Sequence, residues 1–248
     1  MKAMILAAGL GTRLRPLTER LPKPLLPVVG RPLVDWNLLL LRRHGITDAI
    51  VNLHHLGDLI ERELGDGSAF GMRLAYSREP VLLGTGGGLK QAEPFFGGEP
   101  FLAINADTLV EIDLGALMAA HRNGRALATM ALREDPDADR WGALEVEASG
   151  RIARINGRGR QPVGPVKKRM FAGVHIIHPR LLVSVPAERE SSIIDAYVGA
   201  IQQGETILAH EFSGYWSDIG TPERYAQAQR DAEAGVIDLN SRLVRSKE

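Results

Sequence analysis

The stretch Leu6-Ala7-Ala8-Gly9-Leu10-Gly11-Thr12-Arg13, which follows the apolar run starting at Ala3, decides the fold. A short continuous apolar run that breaks at once into small residues reads as a strand buried on both faces, running into a tight turn. Gly9 and Gly11 can adopt backbone angles closed to other residues and let a ligand approach the main chain. Successive N–H groups in such a turn form a concavity that binds anions. Arg13 adds a forked cation suited to phosphate. Further on, Pro22-Lys23-Pro24 confines a lysine between two prolines, which limit the backbone and so the reach of its ammonium. The dinucleotide pattern G-x-G-x-x-G fails at Leu14, and the P-loop pattern G-x-x-x-x-G-K-[ST] does not occur. Gly9 and Gly11 taken alone read equally as a strand-to-helix turn; Arg13 and Lys23 argue for an anion site.

Working outward, apolar runs at Ala49 to Leu53 and Phe101 to Ile104 repeat the strand signal. Between them, Leu33, Trp36 and Leu40, and then Leu56, Leu59, Ile60 and Leu64, fall at helical spacing. This alternation predicts an α/β fold with a doubly wound, mainly parallel sheet. The second half is mixed. Gly142 to Ile155 reads as a hairpin around Ser149-Gly150, and Met170 to Ile177 as a strand. Ser191 to Gln203 reads as a helix, and Pro222 to Ala234 as another, capped by Thr221. The expectation is one domain over residues 1–235, with a first lobe to about residue 125, a smaller mixed lobe to 235, and a tail over 236–248.

Composition narrows the class. The chain has 248 residues, 44% hydrophobic and 24% charged, with 30 basic and 30 acidic residues. A balanced charge argues against a broad nucleic-acid or acidic-membrane footprint. There is no cysteine, which excludes disulfides, thiolate catalysis and Cys-type zinc sites. No apolar stretch is long enough to span a bilayer, and a cytoplasmic setting is expected. The seven histidines show no zinc spacing. The sequence is silent on oligomeric state, leaving a homo-oligomer open.

The run LAAGLGTRLRPLTERLPKPLLPVVGRPLVDW, from Leu6 to Trp36, resembles the signature of the sugar-1-phosphate nucleotidyltransferases. The likeness continues at LLGTGGGLKQA, INAD, FAGVHIIHP and GYWSDIGTPERY, so it covers nearly the whole chain. It implies a Rossmann-like nucleotide-binding core and transfer of a nucleoside monophosphate from a nucleoside triphosphate to a sugar 1-phosphate, releasing pyrophosphate. Among family members the short chain and GTGGG loop are similar to guanylyltransferases and to uridylyltransferases acting on N-acetylmuramic acid 1-phosphate, and match thymidylyltransferases less well.

The resemblance carries roles onto named positions. Leu6, Ala7, Ala8, Gly9, Gly11, Thr12 and Arg13 would hold the nucleotide, together with Gly84, Thr85 and Gly86 of the second glycine cluster. Thr85 also reads as a cap of the helix starting there. Glu79 would accept from the base, or be a plain surface acid. Asn105, Asn156 and Gly173 would meet the sugar, although Asn156-Gly157-Arg158 departs from the Glu-Lys pair common in relatives. The basic run Lys167-Lys168-Arg169 reads as a solvated loop or a phosphate contact. Asp107, after the apolar strand at Phe101 to Ile104, sits where α/β sheets bind ligands. Asp107 and Asp218 would hold Mg2+, which favours carboxylates with phosphate oxygens; Asp218 also reads as a turn residue before Gly220. Arg13, Lys23 and Asp107 are the catalytic candidates. Arg13 would meet the β- and γ-phosphates and Lys23 the α-phosphate, and an already ionised sugar phosphate needs no general base. Two other readings stand beside this one: a catalytically silent nucleotide-sugar-binding subunit, which should have lost one of these residues, and a dinucleotide-binding oxidoreductase.

Overall fold

A computed structural model describes residues 1–237. The tail expected over 236–248 lies outside the described residues from 238 on. The chain folds into two compact units that interleave along the sequence. Unit 1 contains residues 1–82, 104–111 and the stretch from 214; unit 2 contains 83–103 and 112–213.

In chain order, unit 1 opens with β1 (Ala3–Leu6), α1 (Leu33–Arg43), β2 (Asp48–Leu53), α2 (Gly57–Leu64) and β3 (Arg73–Arg78). Unit 2 takes over with α3 (Gly84–Phe96), and the chain returns to unit 1 within β4 (Phe101–Asn105), followed by β5 (Thr108–Val110). The long second stretch of unit 2 holds α4 (Leu114–Gly124), β6 (Ala128–Arg133), β7 (Leu144–Glu147), β8 (Ile152–Ile155), β9 (Val166–Ile177), α5 (Ile193–Gln202) and β10 (Ile207–Glu211). Unit 1 ends with β11 (Trp216–Asp218) and α6 (Pro222–Glu233).

The fold is α/β, and its parallel sheet lies in unit 1. β1, β2 and β3 pair in parallel, Ala3 opposite Ala49 and Ala49 opposite Leu74, with α1 and α2 as the crossovers. The core positions of β1 and β2, Ala3 to Ile5 and Ala49 to Val51, are buried, as continuous apolar runs require. Beside this sheet, β5 and β11 form an antiparallel pair in which Asp218 faces Thr108. A single apolar cluster of Val28, Leu33, Trp36, Leu109, Ile219, Ala228 and Ile237 binds the signature segment, β5, β11 and α6 together. Full burial of a side chain of this size contributes about 1.5–3 kcal/mol. Trp36 also donates its indole N–H to the Val28 carbonyl at 3.2 Å. The Thr221 hydroxyl accepts from the Arg224 N–H and caps α6, with Pro222 in the first turn, as its sequence predicts.

Unit 2 is mainly antiparallel. β6 pairs antiparallel with β9 and parallel with β10, while β9 continues antiparallel onto β7, and β7 onto β8. Strand β9 begins earlier than its apolar pattern suggests, so the basic run Lys167 to Arg169 is strand and not loop. Lys168 pairs with Asp139 at 2.8 Å and the buried Arg169 with Glu211 at 2.8 Å. These neighbours account for two of the three charges in the run. His178 follows the end of β9, its ring accepting from the Arg180 N–H as the cap of a short 3₁₀ turn.

The interior of unit 2 holds a fully buried ionisable pair. His175 on β9 and Tyr197 on α5 are both buried, with the imidazole Nδ1 2.6 Å from the phenol oxygen. Burial lowers the imidazole from its ordinary 6.5 to about 3. A group with a depressed cationic pKa binds fewer protons folded than unfolded. Its contribution is therefore complete above 6.5 and is lost as pH falls from 6.5 toward 3. His175→Phe should flatten the slope of unfolding free energy against pH over that window, read by denaturant titrations at several pH values; an unchanged slope would mean that the imidazole is already protonated in the folded protein.

Candidate active site

The residues proposed from sequence as the catalytic and metal group meet within unit 1. The Lys23 ammonium lies 2.5 Å from Asp107 Oδ2 and 3.6 Å from Asp218 Oδ1. Lys23 reaches this point because Pro22 is extended and Lys23 to Leu25 form one 3₁₀ turn that closes through Leu25 N–H to Pro22 O. Asp107 sits between β4 and β5, and its carbonyl accepts from the Ile219 N–H at 2.9 Å. Because Asp218 is paired with Thr108, the antiparallel register itself brings the two aspartates to the same end of the β5–β11 pair. The turn reading of Asp218 gives way to a charged contact network.

Asp218 is the more enclosed of the two acids. Burial first, then the Asp107 charge, push its carboxyl above the usual carboxylate range, while Lys23, Arg13 and Arg224 pull it down. Arg224 Nη1 is 3.2 Å from Asp218 Oδ2. Gly220 completes the packing: a Cβ there would sit 2.6 Å from Asp218 Oδ2 and 3.1 Å from an Arg13 guanidinium nitrogen. Sequence reasoning did not pick out Arg224 or Gly220. The signal for Arg224 was a cation in the first turn of a helix, where the helix dipole favours anions.

The glycine-rich loop divides into an anchored start and an open rim. Ala7 and Ala8 are buried, while Gly9, Thr12 and Arg13 are exposed. The Ala7 N–H points inward, to Asn52 Oδ1 at 2.7 Å, and the Leu6 carbonyl accepts from the Ala106 N–H. The space beside Gly9 is open: a Cβ there would meet nothing within 4 Å. Gly11 has φ 63° and packs on Thr18, whose hydroxyl donates to the Gly11 carbonyl at 2.8 Å. Asn105 ends β4, and its carbonyl accepts from the Asn37 amide at 3.4 Å.

Glu79 is not a surface acid. It is buried at 4% exposure and its Oε1 accepts from Asn52 Nδ2 at 2.7 Å. His54 Nδ1 lies 2.8 Å from the Glu79 carbonyl. Asn52 escaped the sequence reading although it stood as a polar residue inside the apolar run Ala49 to Leu53, a position that demands a partner.

The remaining candidates belong to unit 2, and each has a local reason for its residue type. Gly84, at φ 68°, would put a Cβ 2.6 Å from the Ser191 carbonyl, and Gly86 one 2.7 Å from the Ser191 hydroxyl. Thr85 does not cap α3, whose cap is Leu83; its hydroxyl accepts from the Ile193 N–H at the start of α5. Asn156 and Gly157 have φ 52° and 71°, the conformation of a two-residue Asn-Gly hairpin turn joining Ile155 to Arg158. Gly173, at φ 75°, lies where the β6–β9 register shifts, as a bulge glycine does.

Two hard carboxylates facing one ammonium form a donor set that suits a small divalent cation whose other ligands are phosphate oxygens and water. No cluster of three or more metal-ligating side chains occurs among the described residues.

The family model described as nucleotidyl transferase matches residues 2–235. An N-acetylmuramate alpha-1-phosphate uridylyltransferase of Neisseria meningitidis serogroup B is 39% identical over 94% of this chain and 99% of its own length. A mannose-1-phosphate guanylyltransferase of Mycobacterium tuberculosis is 30% identical over 94% of this chain, which spans 65% of that protein. Among solved structures, a Bacillus anthracis protein assigned as a glucose-1-phosphate thymidylyltransferase and crystallised with sucrose superposes with a TM-score of 0.82 at 26% identity, covering 96% of each chain.

Lys23→Met removes the ammonium and leaves two carboxylates facing each other. Turnover should fall by roughly two to three orders of magnitude. Added divalent cation should then raise the melting temperature of the variant more than that of the wild type, because cation and ammonium compete for the same oxygens. Equal shifts in a thermal melt would mean that Lys23 does not compete with a cation for these carboxylates.

Proposed function

This chain belongs to the nucleotidyl transferase family, and from that premise we propose that it transfers a uridylyl group from UTP to N-acetylmuramate 1-phosphate or a closely similar sugar phosphate, with magnesium as its metal. At the level of the family, the protein is an enzyme of the sugar-1-phosphate nucleotidyltransferase type, making an NDP-sugar. That family acts on a nucleoside triphosphate and a sugar 1-phosphate and generally uses a divalent metal. The uridylyl reading is supported by the relative that matches over 99% of its own length. Guanylyl transfer is the second reading, supported by the more distant mannose-1-phosphate relative.

The observation that carries the mechanism is the Lys23 ammonium between Asp107 and Asp218. Both substrates are anions, so the chief barrier the protein must lower is their repulsion. Arg13, on the open rim of the loop, is proposed to take the outer phosphates and the leaving pyrophosphate. Lys23 is proposed to release its carboxylate contact and take the α-phosphate. Asp107 and Asp218 would hold magnesium, which supplies charge neutralisation and orients phosphate oxygens. Arg224 and Gly220 keep Asp218 aimed. The sugar phosphate oxygen attacks the α-phosphorus in line, its own charge replacing a general base. The nucleotide roles of Leu6, Ala8, Gly9, Gly11 and Thr12 in unit 1 and Gly84, Thr85 and Gly86 in unit 2, and the sugar roles of Asn105, Asn156 and Gly173, are part of the same proposal. So is a cytoplasmic setting; among the described residues no helix is long and apolar enough to cross a membrane.

Two experiments test this. Pyrophosphate release is measured for UTP, GTP, dTTP, ATP and CTP against N-acetylmuramate, glucose, N-acetylglucosamine and mannose 1-phosphates, with magnesium. UTP with N-acetylmuramate 1-phosphate should give the highest kcat/KM; release with no pair would sink the enzymatic reading. Asp107→Asn should cut kcat by about three orders of magnitude or more, with the melting temperature moving by only a few degrees. A variant near the wild-type rate would remove Asp107 from the metal site.

A further inference from the structure

A buried chain of hydrogen bonds runs beneath the glycine-rich loop, entirely within unit 1. The Ala7 N–H donates to Asn52 Oδ1 at 2.7 Å, and Asn52 Nδ2 donates to Glu79 Oε1 at 2.7 Å. Asn52 is 3% exposed and Glu79 4%. The three residues belong to the ends of three adjacent strands: Ala7 follows β1, Asn52 is the penultimate residue of β2, and Glu79 follows β3. The polarity of the chain is fixed by chemistry. A backbone N–H can only donate, so the Asn52 oxygen must face Ala7. Its NH₂ must then face Glu79, which must accept. A carboxamide bridges a donor and a carboxylate in this way; an aspartate at position 52 would set two carboxyl groups against each other, and a leucine would strand both partners.

We propose that Asn52 is a positioning residue for nucleotide binding, and that Glu79 acts on the nucleotide through Asn52 and the loop backbone rather than by reading the base. The proposal rests on the reading that the loop from Ala8 to Arg13 cradles the triphosphate. The Ala7 amide is the last point at which the loop is tied to the sheet before the main chain turns outward at Gly9. Holding that amide fixes where the following N–H groups point. Phosphate is common to every nucleoside triphosphate, so a residue acting through the loop alters affinity for all of them alike. A residue reading the base alters their ratio.

The test uses the full chain and four variants. Asn52→Asp and Asn52→Ser break the link to Glu79, and Ser guards against misfolding of the acidic variant. Glu79→Leu removes the acceptor; Glu79→Gln keeps an acceptor oxygen for Asn52 Nδ2. Dissociation constants for Mg·UTP and Mg·GTP are measured by calorimetry, with melting temperatures and deuterium uptake of peptides spanning Ile5 to Leu14. Both Asn52 variants and Glu79→Leu should weaken the two nucleotides by the same factor, roughly tenfold, and speed exchange in the loop peptide. Glu79→Gln should restore most of the affinity lost in Glu79→Leu, with the UTP-to-GTP ratio of the wild type. A changed ratio in Glu79→Gln would overturn the proposal in favour of direct base contact. Unchanged affinity and loop exchange in both Asn52 variants would overturn it in favour of a purely structural pair. Pyrophosphate release by the wild type is scored separately, so a protein that binds nucleotides but transfers nothing fails the proposed function and leaves the relay standing.

Discussion

One ammonium shared by two carboxylates organises unit 1. Lys23 is held 2.5 Å from Asp107 and within reach of Asp218, and these residues come from three distant parts of the chain. Each is delivered by a different device. A proline-flanked 3₁₀ turn delivers Lys23, the end of a buried strand delivers Asp107, and an antiparallel register delivers Asp218. Without Lys23 the carboxylates would repel, and without the carboxylates a buried ammonium would stand unpaired; both are costly. The apolar cluster around Trp36 and Ile219 holds the three segments in place. The two later segments of unit 1, residues 104–111 and the stretch from 214, are the ones that carry the acids.

The glycine-rich loop depends on local supports of the same kind. Its rim is open at Gly9 and Arg13, yet its start is pinned by Asn52 and its middle by Thr18. His54 and His55, at the end of β2, serve as braces against the Glu79 and Thr18 carbonyls. Such rigidity would favour the phosphate binding proposed for this loop, since ordering it on binding would otherwise cost affinity.

Much of this was legible in the sequence. The continuous apolar runs located β1, β2 and β4, and the Leu6 to Trp36 signature singled out Arg13 and Lys23, because both depend on contiguous residues. The hairpin at Ser149-Gly150 and the capped helix at Pro222 were equally local. What the sequence hid was pairing at long range. Nothing local tells that Lys168 faces Asp139, that the Thr85 hydroxyl accepts from the first N–H of a helix more than a hundred residues on, or that Gly84 and Gly86 are small because Ser191 packs against them. Asn156-Gly157 has an ordinary turn to explain it, and Gly173 a bulge. Asn52 and Arg224 were the two residues whose odd setting, a polar side chain in a buried strand and a cation in a helix's first turn, was visible and unread.

The central claim is that Asp107 and Asp218 form a divalent-cation site completed by the triphosphate. Electron paramagnetic resonance of Mn2+ in the presence of a non-hydrolysable UTP analogue tests it directly. The account predicts that Asp107→Asn and Asp218→Asn each weaken Mn2+ binding in the ternary complex by about tenfold or more, with little change in the absence of nucleotide. Mn2+ affinity equal to the wild type in both variants would contradict it.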